Sequence, residues 1–373
     1  MSKVTWLDKL QEQVKIDIDC MDPAEAKRFL PFEPHDQTSN QRLVYEQMIS
    51  PENRELFLKT VEEGKDEGWE IILDRMVPHF IHLVATYSLH HLQSALLCAK
   101  NIENIQGRVL LQTSAFHAYD TRKVVAQARS YASEFEKLGI SKDRICIKIP
   151  CTGPALNASP ILLREGIRTL GTSLFSVSQA IAASQAEALS ISPYYNFPWY
   201  HTDRGQWPNT EDPALDHPMS HRIVQIQHIY QRLRQETGKT QPLLKPASFI
   251  SAREAIAMAE LGCDHAAIPE DILLQLSLLD AEANPPPGSD SHMKTGSPSS
   301  RVAHLANIDP LAGPGWPGLP ALDIDYLADN GAALTKAIAA DTFTQRGLDT
   351  ALEAFKANEL QSRDAIEEAL NQF

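Results

Sequence analysis

RICIKIP, residues 144 to 150, alternates apolar and other side chains with a period of two. Ile145, Ile147 and Ile149 form one continuous apolar face, and Cys146, Lys148 and Pro150 fall on the other. Alternate side chains of a strand point to opposite sides of its sheet, so the isoleucines mark the side packed under helices. Lys148 then points the other way, near the C-terminal end of the strand. A lysine in that position is costly unless it is used or open to solvent.

Six further runs of the same kind flank this one: VKIDIDC (14 to 20), GRVLLQTS (107 to 114), RTLGTSLF (168 to 175), ALSISPYY (188 to 195), QPLLKPASF (241 to 249) and CDHAAIP (263 to 269). An eighth, shorter strand is expected near HDQTSN (35 to 40). Helical patterns separate them, such as TRKVVAQARSYASEFEKLGI and SAREAIAMAELG, the second ending on a glycine suited to a C-cap. Eight strands, most followed by a helix, predict a (β/α)₈ barrel of the TIM type, with a doubly wound open sheet as the competing arrangement. The expected organisation is a catalytic barrel over 1–283, a Pro-, Gly- and Ser-rich loop over 284–320, and acidic helices over 321–373 that pack on the barrel or cover its mouth.

In a barrel the second face of each strand points into the lumen. Parity sends Lys15, Asp17 and Asp19 inward from VKIDIDC, with Asp19 nearest the C-terminal rim. It sends Gln112, Thr172, Ser192, Tyr194 and Ser248 inward from four other strand ends. Barrel enzymes build their active sites on that rim. One lysine, one carboxylate, one amide and several hydroxyls suit Schiff-base chemistry. A desolvated amine loses its preference for the charged form and attacks a ketone, and the resulting iminium stabilises the carbanion left when a neighbouring C–C bond breaks. Asp19, Tyr194, or a water held by Gln112 and Thr172 are the candidates for moving protons. The plainer reading of Lys148 is an edge-strand lysine facing solvent, and that of Asp19 a helix N-cap. Asp22 followed by Pro23 is the better cap, which frees Asp19 for the site.

These segments resemble the transaldolase family, including its smaller fructose-6-phosphate aldolase-like branch. The resemblance spans roughly residues 14 to 280. ICIKIPCT is similar to the family's Schiff-base strand and implies Lys148 as its lysine. DCMD (19 to 22) is similar to the DxxD whose first Asp transfers protons, which implies Asp19. DQTSN resembles the TTN turn and places Thr38 and Asn40 at substrate hydroxyls. EGIRTLGTSLFSVSQA implies Thr172 as the residue holding a water, and ISPY and ASF imply Ser192, Tyr194 and Ser248. Gln112 stands where larger transaldolases have Glu, Tyr194 where they have Phe, and Leu170 where they have Asn. All three are choices of the aldolase branch.

Two departures concern the substrate. Phe197 and Ile250 occupy positions where the family places cations on a substrate phosphate. Apolar groups facing a dianion forfeit several charge-assisted hydrogen bonds. Arg204 is the expected replacement from nearby, Arg253 being better explained as structural. The resemblance therefore implies aldolase-like work on an unphosphorylated or atypical substrate. A pentose phosphate transaldolase moving a dihydroxyacetone unit between sugar phosphates is the alternative, and a catalytically silent barrel that binds a partner is the alternative of another class. The partners implied are a small ketone donor and an aldehyde acceptor, with self-association open, and no metal or other cofactor is called for.

Composition narrows the rest. With 48 acidic and 34 basic residues the chain carries a formal charge of −14, which argues against nucleic acid or an anionic membrane as partner. Five scattered cysteines without a CxxC pair fit free thiols, and the absence of a long apolar run predicts a cytosolic protein. His79, His82, His90 and His91 have metal-like spacing but no carboxylate or thiol to complete a set. GPGWPG (313 to 318) has no preceding strand and is not a phosphate loop.

Overall fold

The computed structural model describes residues 3–82, 102–288 and 296–373, with side chains described only as far as residue 76 in the first of these segments. Eight strands form one parallel sheet in the order β7-β6-β5-β4-β3-β2-β1-β8. They are β1 (Lys15–Ile18), β2 (Gln37–Thr38), β3 (Val109–Gln112), β4 (Ile145–Pro150), β5 (Thr169–Leu174), β6 (Ser190–Pro193), β7 (Leu243–Leu244) and β8 (His265–Ile268). Each lies inside a run expected from the sequence. β7 is short because Pro242 and Pro246 bracket it and a proline has no N–H for the ladder. Between β7 and β8, the two ends of this strand order, backbone bonds from Asp264 N to Leu244 O (3.1 Å) and from Ala267 N to Pro246 O (2.9 Å) close the sheet on itself. The fold is a (β/α)₈ barrel with further C-terminal helices, and the open sheet is excluded.

Strand parity holds for β4 and its neighbours. Ile145, Ile147 and Ile149 join Val109, Leu111 and the buried side of the helix Thr121–Lys137 in one apolar cluster. Leu110, Cys146 and Leu170 form a separate small cluster inside the barrel. Local signals also fall where the residues demand. Asp22 caps the helix Pro23–Arg28 through Ala24 N at 2.8 Å, with Pro23 in its first turn. Ser251 and Glu254 make a capping box at the start of Ala252–Glu260. Gly262 follows that helix at φ +72°, where a Cβ would also collide with the backbone of Ser297.

Two helices of the C-terminal segment lie against the barrel. The helix Ala328–Ala340 packs against the outer helices Gly153–Leu156 and Val177–Gln185, while Thr342–Leu370 runs along Gln41–Ile49 and reaches the barrel mouth. Arg222, wholly buried on the helix Pro218–Thr237, fastens this segment. Its guanidinium meets Asp309 at 3.1 Å, Asp341 at 2.8 Å, Thr344 Oγ1 at 3.0 Å and Phe175 O at 2.8 Å. Cys20, Cys146, Cys151 and Cys263 are free and buried. Cys98, His90 and His91, and the side chains of His79 and His82, lie outside the described residues. Among the described residues no helix is long and apolar enough to cross a membrane.

Candidate active site

A chamber of about 780 Å³ opens at the C-terminal rim of the strands. Asp19, Thr38, Asn40, Lys148, Ser192, Tyr194, Arg204 and Ser248 all line it, with Ile250. Ala351, Ala354 and Phe355 of the helix Thr342–Leu370 close one side. Asn40 also accepts from Leu43 N at 3.1 Å, capping the helix after β2, so its side chain is shared between fold and chamber.

Lys148 is buried, and its Nζ donates to Thr38 Oγ1 at 2.7 Å and to Ser39 O at 2.8 Å. Both acceptors are neutral. Burial therefore lowers the pKa of this amine, with Asp19 pulling partly the other way. A neutral amine has two N–H bonds; with both satisfied, its lone pair is left for the chamber. Asp19 sits just past the end of β1, and its Oδ1 is buried with no hydrogen-bond partner. Burial raises its pKa against the attraction of Lys148 and Arg42.

A second lysine lies deeper in the lumen and is held in the opposite way. Lys245 pairs with Asp17 at 3.1 Å and with Asp36, while His265 bonds Asp17 at 2.8 Å and His35 bonds Asp36 at 2.9 Å. Burial works against its charge, but the two carboxylates outweigh that and raise its pKa. Asp17, His35, Asp36 and His265 are the one group with metal-ligand geometry among the described residues, and Lys245 supplies a cation to both of its carboxylates. The sequence places Asp17 inward but hides Lys245, because counting back by twos from an inward Ser248 turns Lys245 to the outer face. That alternation breaks between the two. Ser248 has φ +69°, so a left-handed backbone rather than strand parity brings it to the chamber. Its Oγ donates to Asn196 O at 2.9 Å and contacts His201 Nε2 at 2.8 Å.

Thr172 is fully buried behind the chamber, its Oγ1 3.5 Å from the Tyr194 hydroxyl. Burial pushes the Tyr194 phenol up to about 12, so it is a neutral donor. Gln112 is the register partner of Lys148 across β3 and β4 and leaves the sheet on the same face. It lines a smaller adjoining cavity instead of the main chamber.

With the geometry in place, the comparisons are direct. Residues 16–308 match the family described as transaldolase/fructose-6-phosphate aldolase. The chain belongs to this family. A transaldolase of a Synechocystis species is 31% identical over 260 residues, which is 68% of this chain and 61% of that protein. The aligned part thus spans less than two thirds of the relative's length. Among solved structures, a putative phosphonomutase from Burkholderia cenocepacia covers 70% of this chain and 88% of its own at 9% identity and TM-score 0.36, too distant to bear on function.

One position read from the transaldolase resemblance needs correction. Phe197, expected against the substrate, is wholly buried away from the chamber. Its ring stacks on Phe175 (5.5 Å) and Trp199 (4.6 Å) and meets Phe343 of the C-terminal helix at 5.6 Å. Phe197 caps the short helix Pro198–Thr202, and the chain direction set there turns its ring into the core. Ile250 does line the chamber of this transaldolase-family barrel. Arg204 lines it too, its guanidinium 5.7 Å from the Trp207 ring, whereas Arg253 pairs on the surface with Glu211 at 2.7 Å.

Proposed function

We propose that the protein is a Schiff-base enzyme that cleaves, forms or transfers a C–C bond next to a ketone, aldolase-like and acting on a substrate without phosphate. The observation that carries this reading is the contrast between the two lumen lysines. Lys245 is locked as a cation by two carboxylates, while Lys148 meets only neutral acceptors and opens on the chamber. Lys148 Nζ attacks the ketone carbon, and the carbinolamine loses water to give the iminium. Asp19 takes the proton from the hydroxyl on the far carbon of the bond that breaks, the carbon that becomes the aldehyde. Electrons of that bond then flow into the iminium, an aldehyde leaves, and an enamine remains on Lys148. Protonation of the enamine carbon, with Tyr194 and Thr172 orienting a water, followed by hydrolysis, releases the donor ketone.

Charge at the chamber supports the unphosphorylated substrate. Its wall carries Arg42, Lys148 and Arg204 against Asp19, Asp22, Glu25, Glu46, Glu270 and Asp271. Arg42 is already taken by Glu46 at 2.9 Å. A phosphate dianion here would face a carboxylate-rich wall. Arg204, on the loop after β6, favours the second reading, a transaldolase of sugar phosphates with a relocated clamp. Turnover of fructose 6-phosphate compared with that of fructose and dihydroxyacetone separates the two. Preference for the unphosphorylated ketones is expected, and a strong preference for the ester would replace the first reading by the second.

A further inference from the structure

Beside the Lys148 chamber lies a small cavity of about 20 Å³, enough for one water. Ser39, Asn40, Gln112, Ser114 and Glu359 are in its wall. Glu359 comes from the C-terminal helix and is only 5% exposed, and Gln112 only 4%. Ser114 Oγ donates to Glu359 Oε1 at 2.6 Å, yet Glu359 Oε2 and both amide atoms of Gln112 are buried without protein partners. Buried polar atoms left unpaired are expensive, and a single water with two to four polar neighbours satisfies them together.

We propose that Glu359 is a positioning residue of the Lys148 site: it holds one buried water against Gln112 and thereby sets which end of that amide faces Lys148. The inference rests on the Schiff-base reading for its catalytic consequence but not for the water itself. When Glu359 is neutral, its Oε2–H donates to the water and the water donates to Gln112 Oε1, which leaves the NH₂ group as a donor on the Lys148 side. When Glu359 is ionised, Oε2 accepts from the water, the water accepts from the NH₂, and the carbonyl end turns to the Lys148 side instead.

The charged and titratable groups around Glu359 decide the pH at which this turns over. Glu70 and Asp74 come from the helix Trp69–His82 and Tyr131 from Thr121–Lys137; the Ala115 N–H and Ser114 donate to it. Burial outweighs those donors, with a smaller push from the two acids, and takes Glu359 up to about 7, while burial raises Asp74 to about 6. The neutral form, dominant below that pH, leaves the donor end of Gln112 for the reacting oxygen. In the unmodified protein kcat therefore falls as pH rises through about 7.

The test combines a high-resolution crystal structure of the unmodified protein with the pH dependence of kcat and KM for Glu359→Gln, Glu359→Ala and Asp74→Asn. The expected structure shows one water within hydrogen-bond distance of both Glu359 and Gln112. Glu359→Ala is expected to lose about tenfold in kcat with little change in KM, and Glu359→Gln, which cannot ionise, to lose the alkaline limb while keeping activity. Asp74→Asn keeps the limb. A dry cavity, or a limb that survives in Glu359→Gln or disappears in Asp74→Asn, would overturn the proposal. If no ketone can be trapped on Lys148, the Schiff-base reading fails, and the water in the crystal structure still decides this one.

Discussion

Lys148 Nζ and Thr38 Oγ1 lie 2.7 Å apart, joining β4 to β2 across β3 at the floor of the chamber. This bond fixes the direction of the amine. Thr38→Val keeps the shape of the side chain and removes the acceptor, at a cost of about 1 to 2 kcal/mol in positioning, or roughly tenfold in kcat/KM. Steady-state kinetics with an unphosphorylated ketone checks it, and an unchanged kcat/KM would show that Ser39 O alone orients the amine.

Asp19 is expected to act after the iminium has formed. Asp19→Ala should lower turnover by about 10²-fold while borohydride still labels Lys148. Asp19→Asn adds a test of sign. Burial lowers the Lys148 pKa and the Asp19 carboxylate partly restores it. Removing that charge moves the pKa further down, so the pH at which trapping reaches its plateau shifts to lower values in Asp19→Asn. A shift to higher pH would mean that the two groups are not coupled as the geometry requires.

Arg222 tests what holds the C-terminal helices in place. Replacing it by Met leaves Asp309, 7% exposed, without its guanidinium and breaks the links to Asp341 and Thr344. Removing one partner of a buried pair costs about 3 to 5 kcal/mol. Denaturant unfolding of Arg222→Met should show a loss of that size, and a loss below about 1 kcal/mol would contradict the role assigned to it.

The two positions where transaldolases carry phosphate-binding cations separate in this structure. Phe197→Arg buries a charge inside an aromatic stack and is expected to give a poorly folded protein. Ile250→Arg places the charge in the chamber and is expected to improve use of phosphorylated ketoses relative to unphosphorylated ones. Circular dichroism for the first and substrate competition for the second check both.

How far the sequence alone reaches differs from one strand to the next. Ile145 to Ile149 and Asp17 to Asp19 could be read because regular strands obey a strict alternation, and the Asp22-Pro23 cap because its chemistry is local. Ser248 reaches the chamber through a left-handed backbone that alternation does not encode. Lys245 was hidden by the same break, since an inward Ser248 turns it outward by alternation, and its partners Asp17 and Asp36 come from strands far away in the chain. Phe197 was misplaced because a position in a motif says nothing about which way a ring turns when Phe343, nearly 150 residues later, offers it a core. Glu359 gave no signal in an acidic helix, since its burial depends on how Thr342–Leu370 docks across Gln41–Ile49.

The central claim is that Lys148, and not the charged Lys245, is the nucleophile. Incubation with dihydroxyacetone or fructose and borohydride, followed by intact mass and peptide mapping, tests it most directly. The account predicts a single reduced adduct on Lys148 that is absent from Lys148→Ala. An adduct mapping to Lys245 or to a surface lysine, or one retained by Lys148→Ala, would contradict it.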